Sequence, residues 1–334
     1  MKEGKIMKIF FYALRDYDEL PCAEKYSREY GIPFGWTSAY PSADNYGLMK
    51  GYDAFCCLPC DMSEPVIDKL HEEGIQYVLA RSIGYDHLNF EAMKKYGMRA
   101  ANVSYPPETV ANYAIMLMMM AARKAKEIMN RADAQDYSLK GKLGRDISGM
   151  TVGVIGTGRI GSTVIQHLSG FGCRILCYDP YPREENKKYA EYVDLDTLYK
   201  ECDAITLHAN ATKENEHLLN EAAFAKMKRG MIIVNTSRGK LIDTDALIHA
   251  LKDGIVGGAA LDVLENENGL YYYNRSVDLI DNDEMAILRS FPNVLLMPHT
   301  AFYTEVVVDN MVKSCFEAAA AFEKGEPTYH DLKF

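Results

Sequence analysis

Three charged side chains in the second half of the chain have the chemical types needed for proton transfer and carboxylate binding. His299 follows Met297 and Pro298, and an imidazole titrates near neutrality, so it can exchange a proton with an alcohol or carbonyl oxygen. Glu267 can keep that imidazole protonated. Arg238 has the planar fork that grips a carboxylate and polarises a neighbouring carbonyl. These residue types indicate acid/base chemistry on a small acid with a carbonyl beside its carboxylate.

A glycine-rich segment offers a place for a dinucleotide. Gly156, Gly158 and Gly161 satisfy the pattern G-x-G-x-x-G, between the strand-like run Thr151–Ile155 and an apolar stretch. In that context the glycines permit a tight turn, close approach of a pyrophosphate and close helix–strand packing. The amides at the helix N-terminus then attract the phosphates. Beside a nicotinamide, the three charged residues predict hydride transfer to a 2-keto acid.

An acidic residue follows the glycine pattern at the spacing expected for ribose binding. The strand-like run Arg174–Tyr178 ends at Asp179, close to the ~20 residues at which an acid binds the ribose 2′-hydroxyl. A carboxylate there repels a 2′-phosphate, which favours NAD over NADP. Arg183 weakens that preference, because a nearby arginine accommodates the phosphate. The alternative, that Asp179 only forms a turn before Pro180, is less favoured given the glycine pattern.

Polar residues stand at the ends of the strand-like runs in the second half. Ligands of doubly wound sheets bind outside the carboxyl ends of the strands, so these residues are expected along one edge. Each has a structural alternative: a histidine satisfied by hydrogen bonds, an arginine paired with a surface acid, a glutamate in an acidic loop. Their joint placement favours a functional site. The residues are Asp179, His208, Asn210, Thr236, Ser237, Arg238, Asp262, Glu267 and His299.

The elements that position these residues follow an α/β rhythm in two series. The first has predicted strands at Lys8–Ala13, Ala54–Leu58, Tyr77–Ala80 and Arg99–Val103. The second has predicted strands at Thr151–Ile155, Arg174–Tyr178, Ala204–His208, Met231–Asn235, Gly257–Leu261 and Val294–Met297. Helix-like segments separate the strands, as crossover connections between parallel strands require. We therefore predict an α/β protein with two doubly wound parallel sheets.

Two helix-like segments suggest where the domains divide. Val110–Ala122 is apolar on every face, which predicts a helix covered all round at a contact between domains. The amphipathic segment Glu305–Lys324 is too short to form a domain, so we expect it to pack on the first series. Residues 1–104 and 300–334 would then form one discontinuous domain, and residues 105–299 the dinucleotide-binding domain.

Composition excludes several other classes of protein. The net charge of −10 disfavours nucleic-acid and anionic-membrane partners. No charge-free apolar run approaches the ~20 residues that span a bilayer, and the N-terminus lacks a signal-peptide core. The eight cysteines are scattered, and the C-x-x-C pattern of Cys57 and Cys60 has no second ligand pair, so no metal is expected. We predict a cytoplasmic protein with reduced thiols.

The motifs together resemble the D-isomer-specific 2-hydroxyacid dehydrogenase family, and most closely its D-lactate and D-2-hydroxyisocaproate dehydrogenase branch. The matching segments are Val152–Gly161, Val234–Gly239, Leu241–Ala246, Ala259–Val263, Pro298–Tyr303, Arg81–Gly84 with Asp86, and Asn102–Tyr105. The resemblance implies a Rossmann NAD-binding domain and a flavodoxin-like substrate domain. It implies that Arg238 anchors the substrate and that Glu267 supports His299 as the acid/base. It implies cofactor contacts from Gly156, Gly158, Arg159, Ile160, Gly161, Asp179, Ala209, Asn210, Asn215, Thr236, Ser237, Arg238 and Asp262.

The resemblance also implies a set of substrate contacts. The substrate carboxylate would meet the backbone of Ile83 and Gly84, and Tyr105 and Phe302 would line the pocket. Leu58 falls where some lactate-specific relatives carry a bulkier aromatic residue. Its smaller side chain is expected to leave room for branched or aromatic 2-keto acids.

The activity predicted from the sequence is that of an NAD-dependent D-lactate dehydrogenase interconverting pyruvate and D-lactate. Family relatives are commonly homodimers through the cofactor domain, so a homodimer is expected. The alternatives are a D-2-hydroxyisocaproate or aromatic, phenyllactate-type dehydrogenase. Phosphoglycerate dehydrogenase is disfavoured because no room remains after His299 for a regulatory domain, and formate dehydrogenase because its chemistry needs no acidic Glu267. The non-enzymatic alternative is an NAD-sensing scaffold.

Overall fold

A computed structural model describes residues 6–267 and 269–334 of the chain. The strands are Ile9–Phe11 (β1), Phe34–Trp36 (β2), Ala54–Cys57 (β3), Tyr77–Ala80 (β4), Arg99–Ala101 (β5), Thr151–Ile155 (β6), Arg174–Tyr178 (β7), Glu191–Tyr192 (β8), Ala204–Leu207 (β9), Met231–Asn235 (β10), Val256–Leu261 (β11), Val294–Leu296 (β12) and Asp331–Leu332 (β13). The α-helices are Glu19–Tyr30 (α1), Glu64–Glu72 (α2), Phe90–Lys95 (α3), Glu108–Ala122 (α4), Ala125–Asp133 (α5), Arg159–Ser169 (α6), Leu195–Glu201 (α7), Glu221–Phe224 (α8), Thr244–Lys252 (α9), Asp283–Ser290 (α10) and Glu305–Glu323 (α11).

The first of two structural units combines both ends of the chain. It contains the described residues up to Pro106 together with Tyr303–Phe334. Its sheet has the strand order β13-β5-β4-β3-β1-β2, and every neighbouring pair is parallel except β13 with β5. The C-terminal helix α11 packs along α1, and its Phe316 lies 5.7 Å from Phe11 of β1, ring centre to ring centre. Both rings are fully buried.

The second unit, Pro107–Phe302, holds a fully parallel sheet. Its strand order is β12-β11-β10-β9-β6-β7-β8. One hydrophobic core involves α4 and α6, and a second involves α7, α8, α9 and α10, so both faces of the sheet are covered. The strand order reverses between β6 and β9. In such folds the ligand crevice opens at the carboxyl ends of the strands on either side of that reversal.

The prediction of two doubly wound α/β sheets is confirmed, but the sequence missed three short strands. β2, β8 and β13 each lie at an edge of a sheet and contain two or three residues. An edge strand of that length has no run of apolar residues for hydrophobic periodicity to detect. The long central strands, whose faces are both buried, produced the strongest signal.

The prediction that the apolar helix is covered on every face is wrong for the described chain. Helix α4 packs its buried face on α6 and on strands of the second sheet. Met116 and Met119 on its other face are 39% and 43% exposed. An apolar residue predicts burial only statistically, so the residue types of this helix do not show that one of its faces is exposed. No helix among the described residues is both long and apolar enough to cross a membrane.

Candidate active site

The glycine loop joins β6 to α6, and its three glycines have different surroundings. Gly156 adopts φ 90°, and a Cβ there would lie 2.6 Å from the amide nitrogen of Ala209. A Cβ on Gly161 would lie 1.9 Å from the carbonyl oxygen of Gly156. A Cβ on Gly158 would meet nothing within 4 Å. Two of the glycines therefore serve close backbone packing, whereas Gly158 leaves open space at the N-terminus of α6, where Arg159 begins the helix.

The acid predicted to bind the ribose, Asp179, is held beside this loop. One carboxylate oxygen of Asp179 accepts the Thr157 amide at 2.6 Å, and the other accepts the Tyr181 amide at 2.8 Å. The Tyr192 hydroxyl donates to the Thr157 hydroxyl at 2.9 Å, so the missed strand β8 braces the loop. An ionised carboxylate has about four acceptor sites. Asp179 therefore retains the capacity to accept ribose hydroxyls while it is fixed in place by the backbone.

A buried hydroxyl without a partner lies at the end of β10. Thr236 Oγ1 is buried and has no hydrogen-bond partner among the described residues, which is costly for a hydroxyl unless a ligand satisfies it. Next to it, Ser237 donates to the carbonyl oxygen of Ala209. Farther along the loop after β9, Asn215 Nδ2 donates to the Asn210 carbonyl at 2.7 Å. The open space at Gly158 and this orphaned hydroxyl fit a bound dinucleotide.

His208, at the end of β9, is not an acid/base candidate. Burial lowers its pKa to about 3, so the ring is neutral at physiological pH. Its Nε2 lies 2.9 Å from the Thr206 hydroxyl. A Cβ on Gly161 would lie 3.4 Å from the His208 Cβ, so the residue packs against the glycine loop.

The structure pairs the two residues predicted to act in proton transfer. Glu267 Oε1 lies 2.5 Å from His299 Nδ1. The other carboxylate oxygen accepts the Leu264 amide at 2.8 Å, which orients the carboxylate. The side chains of His299 and Glu267 are 27% and 21% exposed, so the pair is partly shielded from water. Because Nδ1 faces the glutamate, Nε2 is the nitrogen positioned to exchange a proton with a substrate oxygen.

Asp262 holds the backbone around this histidine. Its two carboxylate oxygens accept the amides of Thr300 and Ala301, each at 2.9 Å, and its carbonyl accepts the His299 amide at 2.8 Å. The carboxylate is fully buried, and burial raises its pKa against the opposing effect of those hydrogen bonds. Asp262 thus positions the histidine, and its predicted contact with the cofactor stays a prediction. Tyr113 of α4 adds a side-chain hydrogen bond to Thr300 at 3.0 Å.

Arg238 lies in a turn that contacts the loop carrying Glu267. Asn235 holds the turn, since its side chain donates to the Arg238 carbonyl at 2.9 Å and accepts the Ser237 amide at 3.0 Å. A Cβ on Gly239 would lie 2.0 Å from the carbonyl carbon of Leu264. Backbone contact therefore couples the position of the guanidinium to that of the Glu267 loop. The positions of these residues at strand ends do not predict this contact between the two loops.

The residues predicted to bind substrate in the first unit occupy the ends of its strands. Ile83 and Gly84 form a turn after β4, where their carbonyls accept hydrogen bonds from Asn102 at 2.8 Å and Ser82 at 2.6 Å. Their amides are thus held in a fixed orientation. Leu58 follows β3 and is 6% exposed. The roles of these residues, and of Tyr105, stay predictions.

The sequence did not predict that Tyr272 contacts the histidine. The segment Asn268–Glu284, of which Asn268 lies outside the described residues, lengthens the connection between Glu267 and His299. Its three consecutive tyrosines were visible but had no assigned role. The structure places the Tyr272 hydroxyl 3.1 Å from the His299 carbonyl oxygen. The sequence signal that could have indicated this contact is the run of three tyrosines shortly after Glu267.

The fold and the site define the class of an NAD-dependent dehydrogenase. At the carboxyl edge of a doubly wound sheet lie a glycine loop at a helix N-terminus, an aspartate bound to that loop and a glutamate–histidine pair. The model of the D-isomer specific 2-hydroxyacid dehydrogenase NAD binding domain matches residues 115–301. The chain belongs to this family, in its D-lactate dehydrogenase branch, and its cofactor is NAD.

Relatives of the chain have been named for more than one substrate. An aromatic 2-oxoacid reductase of Clostridium sporogenes is 39% identical over 327 residues, covering 95% of this chain and 96% of the relative. A D-lactate dehydrogenase of Escherichia coli is 38% identical over 333 residues, covering 98% and 100%. The NAD-complexed D-isomer specific 2-hydroxyacid dehydrogenase of Lactobacillus delbrueckii ssp. bulgaricus has a TM-score of 0.83 at 30% identity, covering 98% and 100%. The first two relatives are named for different substrates.

Proposed function

We propose that the chain reduces pyruvate to D-lactate, reversibly and with NADH. The observation that carries the proposal is the 2.5 Å contact between Glu267 and His299, beside the turn of Arg238. A carboxylate on Nδ1 stabilises the imidazolium, and the imidazolium is the form that can donate a proton to a carbonyl oxygen. The name of the Escherichia coli relative supports pyruvate as the substrate.

Each charged residue has a role that its chemistry supports. The Arg238 guanidinium binds the substrate carboxylate and polarises the neighbouring carbonyl. His299 delivers a proton from Nε2 to the keto oxygen while the keto carbon is reduced, and Glu267 holds the imidazolium in orientation. Bound NADH supplies the hydride. The 2-keto acid, one hydride and one proton together yield the 2-hydroxy acid, and the reverse reaction returns the proton to His299.

The cofactor roles proposed for the crevice follow from its geometry. Asp179 would accept the ribose hydroxyls, and the open backbone at Gly158 would lie against the pyrophosphate. Thr236 would satisfy its buried hydroxyl with the bound cofactor. The carboxylate of Asp179 supports NAD rather than NADP, because it would repel a 2′-phosphate.

A larger 2-keto acid is the second candidate substrate. The specific observation in its favour is Leu58, where some lactate-specific relatives have an aromatic side chain, since a smaller residue leaves room for a branched or aromatic group. The Clostridium sporogenes relative, named for aromatic 2-oxoacids, supports this candidate. On this proposal the product is D-2-hydroxyisocaproate or phenyllactate, and the roles of Arg238, Glu267 and His299 are unchanged.

The test is steady-state kinetics with three substrates and both cofactors. We expect kcat/KM for pyruvate with NADH to exceed that for 4-methyl-2-oxopentanoate and phenylpyruvate. A higher value for either bulky acid would replace lactate by the second candidate. Tight NADH binding without turnover of any 2-keto acid would instead favour the NAD-sensing scaffold.

We also propose that the protein is a cytoplasmic homodimer. An exposed apolar face formed by Met116, Met119 and Phe171, which are 37–43% exposed, supports association through the NAD-binding unit. All eight cysteines are free thiols, which supports a reducing compartment. Analytical ultracentrifugation of the wild-type protein and of Met119→Glu tests the dimer: we expect the variant to be monomeric. A monomeric wild type would contradict the proposal.

A further inference from the structure

Three consecutive tyrosines in the loop after Glu267 have three different environments. Tyr271 is 7% exposed and belongs to the hydrophobic core. The ring of Tyr273 lies against the guanidinium of Arg275, 5.1 Å from ring centre to Cζ. The ring of Tyr272 lies 6.0 Å from the imidazole of His299 and is 49% exposed. Only the middle residue thus combines contact with the histidine and an accessible face.

Phe302 supplies a second aromatic ring beside His299. Phe302 lies 6.4 Å from the imidazole of His299, with its ring plane at 79° to it, and 6.3 Å from Tyr272 at 82°. Edge-to-face packing at these distances is a favourable arrangement for aromatic rings. Tyr272 and Phe302 therefore form one aromatic corner beside the histidine.

The position of Tyr272 is fixed by its backbone and its hydroxyl. The residue adopts φ 70°, a left-handed conformation that is unfavourable for a bulky side chain. Its hydroxyl donates to the His299 carbonyl at 3.1 Å, and His299 itself has φ 54°. Unfavourable backbone conformations of this kind persist where surrounding contacts enforce them, and they are concentrated at functional sites. The ring of Tyr272 is thus held in place before any substrate binds.

The substrate side chain must begin close to this corner. Because Glu267 occupies Nδ1, the keto oxygen has to approach Nε2 of His299 within about 3 Å. The first carbon of the variable side chain is two bonds from that oxygen, so the side chain starts roughly 4–5 Å from Nε2. The ring centres of Tyr272 and Phe302 lie 6.0 and 6.4 Å from the centre of the imidazole. Two aromatic rings of the second unit are therefore close to the group that the substrate must approach.

We propose that Tyr272 is a specificity-determining residue, whose ring forms, with Phe302, the surface that receives the side chain of the 2-keto acid. The inference rests on the proposed function and assigns the recognition of the substrate's variable group to this loop. An aromatic side chain gains most from the corner, because ring–ring contacts add to the burial of apolar area. The methyl group of pyruvate is too small to cover the ring.

The experiment compares kcat/KM for phenylpyruvate and for pyruvate, with NADH, in four proteins. For Tyr272→Ala we expect the ratio of phenylpyruvate to pyruvate to fall by on the order of tenfold. Tyr272→Phe keeps the ring, so its ratio should stay within about threefold of the wild type. Tyr273→Ala is the matched control, since it removes a neighbouring ring of similar exposure, and we expect its ratio to be unchanged.

The outcomes separate this inference from the proposed function. A wild type without turnover of any 2-keto acid would overturn both. Normal wild-type turnover with equal losses on the two substrates in Tyr272→Ala would overturn the inference alone, because it would show that the ring only positions His299. If the alanine variant does not fold, as judged by circular dichroism, Tyr272→Leu replaces it, and an unchanged ratio there would equally overturn the inference.

Discussion

His299 occupies a backbone conformation that its residue type does not favour. With φ at 54° it lies in the left-handed region, where a non-glycine residue is uncommon. Asp262 compensates by accepting three backbone amides in this turn, those of His299, Thr300 and Ala301. The strained turn aims the ring at Glu267. At this scale, function depends on backbone hydrogen bonds as much as on the reactive side chains.

Replacing Arg238 by lysine tests whether the substrate needs a planar guanidinium or only a positive charge. In Arg238→Lys we expect kcat/KM to fall, with a loss of several kcal/mol in transition-state stabilisation. The reason is that an ammonium cannot make the bidentate contact with a carboxylate. Arg174→Lys, at an exposed ion pair with Glu201, is the control. Steady-state kinetics measures both, and unchanged turnover in Arg238→Lys would show that this residue does not anchor the substrate.

The glycine loop allows a cofactor effect to be separated from a folding effect. In Gly158→Ala the new methyl group meets open space, so we expect a normal melting temperature. We expect NADH to bind roughly tenfold more weakly or worse, because the methyl would occupy space proposed for the pyrophosphate. In Gly161→Ala the methyl would lie 1.9 Å from the Gly156 carbonyl oxygen, so we expect a lower melting temperature. Fluorescence titration with NADH and thermal denaturation test both; normal NADH affinity in Gly158→Ala would contradict the assignment.

At the scale of elements, the loop that carries Glu267 is tied down by its neighbour Glu265. One carboxylate oxygen of Glu265 lies 2.7 Å from His217 Nε2, and the other accepts the Thr244 hydroxyl at 3.0 Å. Thr244 begins helix α9, so the loop is fixed to that helix. The Gly239 backbone closes the loop from the side of Arg238. A loop held on two sides can present Glu267 in one orientation.

This anchor should make stability depend on pH. The hydrogen bond from Glu265 raises the pKa of His217, with Asp243 and Glu216 acting in the same direction and burial opposing them. A raised pKa contributes stability that is fully present below the unfolded value of about 6.5 and is lost as pH rises through the folded value. Wild type should therefore exceed His217→Gln in urea midpoint at about pH 5.5 and lose that advantage at about pH 8.5.

Glu265→Gln provides the control for this pH effect. In that background the His217→Gln substitution should change the urea midpoint by the same amount at both pH values, because the main charge that raises the pKa of His217 is gone. Circular dichroism measures the unfolding transition. A pH-dependent difference that persists without Glu265 would assign the effect to Asp243 or Glu216 instead.

At the scale of the molecule, the first unit is organised around a fully buried ion pair. Arg81 Nε lies 3.0 Å from Glu19 Oε1, and both side chains are inaccessible to solvent. Burial acts to lower the pKa of the Arg81 guanidinium, but Glu19 and the nearby thiols of Cys56, Cys57 and Cys315 together raise it. A second nitrogen of Arg81 donates to the Ala13 carbonyl at 2.7 Å. The pair therefore joins β4, α1 and the turn after β1.

Breaking this pair from one side should destabilise the first unit strongly. In Arg81→Leu the Glu19 carboxylate stays buried without its main partner, which typically costs about 3–5 kcal/mol. The double variant with Glu19→Leu should recover much of the loss. The single tryptophan, Trp36, lies in β2 of this unit, so its fluorescence during urea denaturation reports the transition. A single variant as stable as wild type would contradict the role of the pair.

The sequence predicted the central strands more accurately than the margins of the sheets. The bounds of β6, β7 and β10 were predicted to the residue, because a parallel strand buried on both faces is a continuous apolar run between turn signals. The exposed side of α4 was not predicted, since the hydrophobicity of Met116 and Met119 does not reveal which side of the helix finds a partner. Nor could the sequence reveal the contact of Gly239 with Leu264, which joins residues distant along the chain.

The fold class and the glycine loop were determined by the sequence alone, because glycine spacing, strand ends and residue chemistry are signals that act within a few residues. The pairing of Glu267 with His299, which are 32 residues apart, was expected from the family resemblance. The tertiary structure decided which groups hold the site in place: Asp262 binds a backbone amide next to His299, Glu265 binds His217, and Tyr272 binds the His299 carbonyl. These contacts depend on where distant backbone segments pack against each other, and no local pattern encodes such distances.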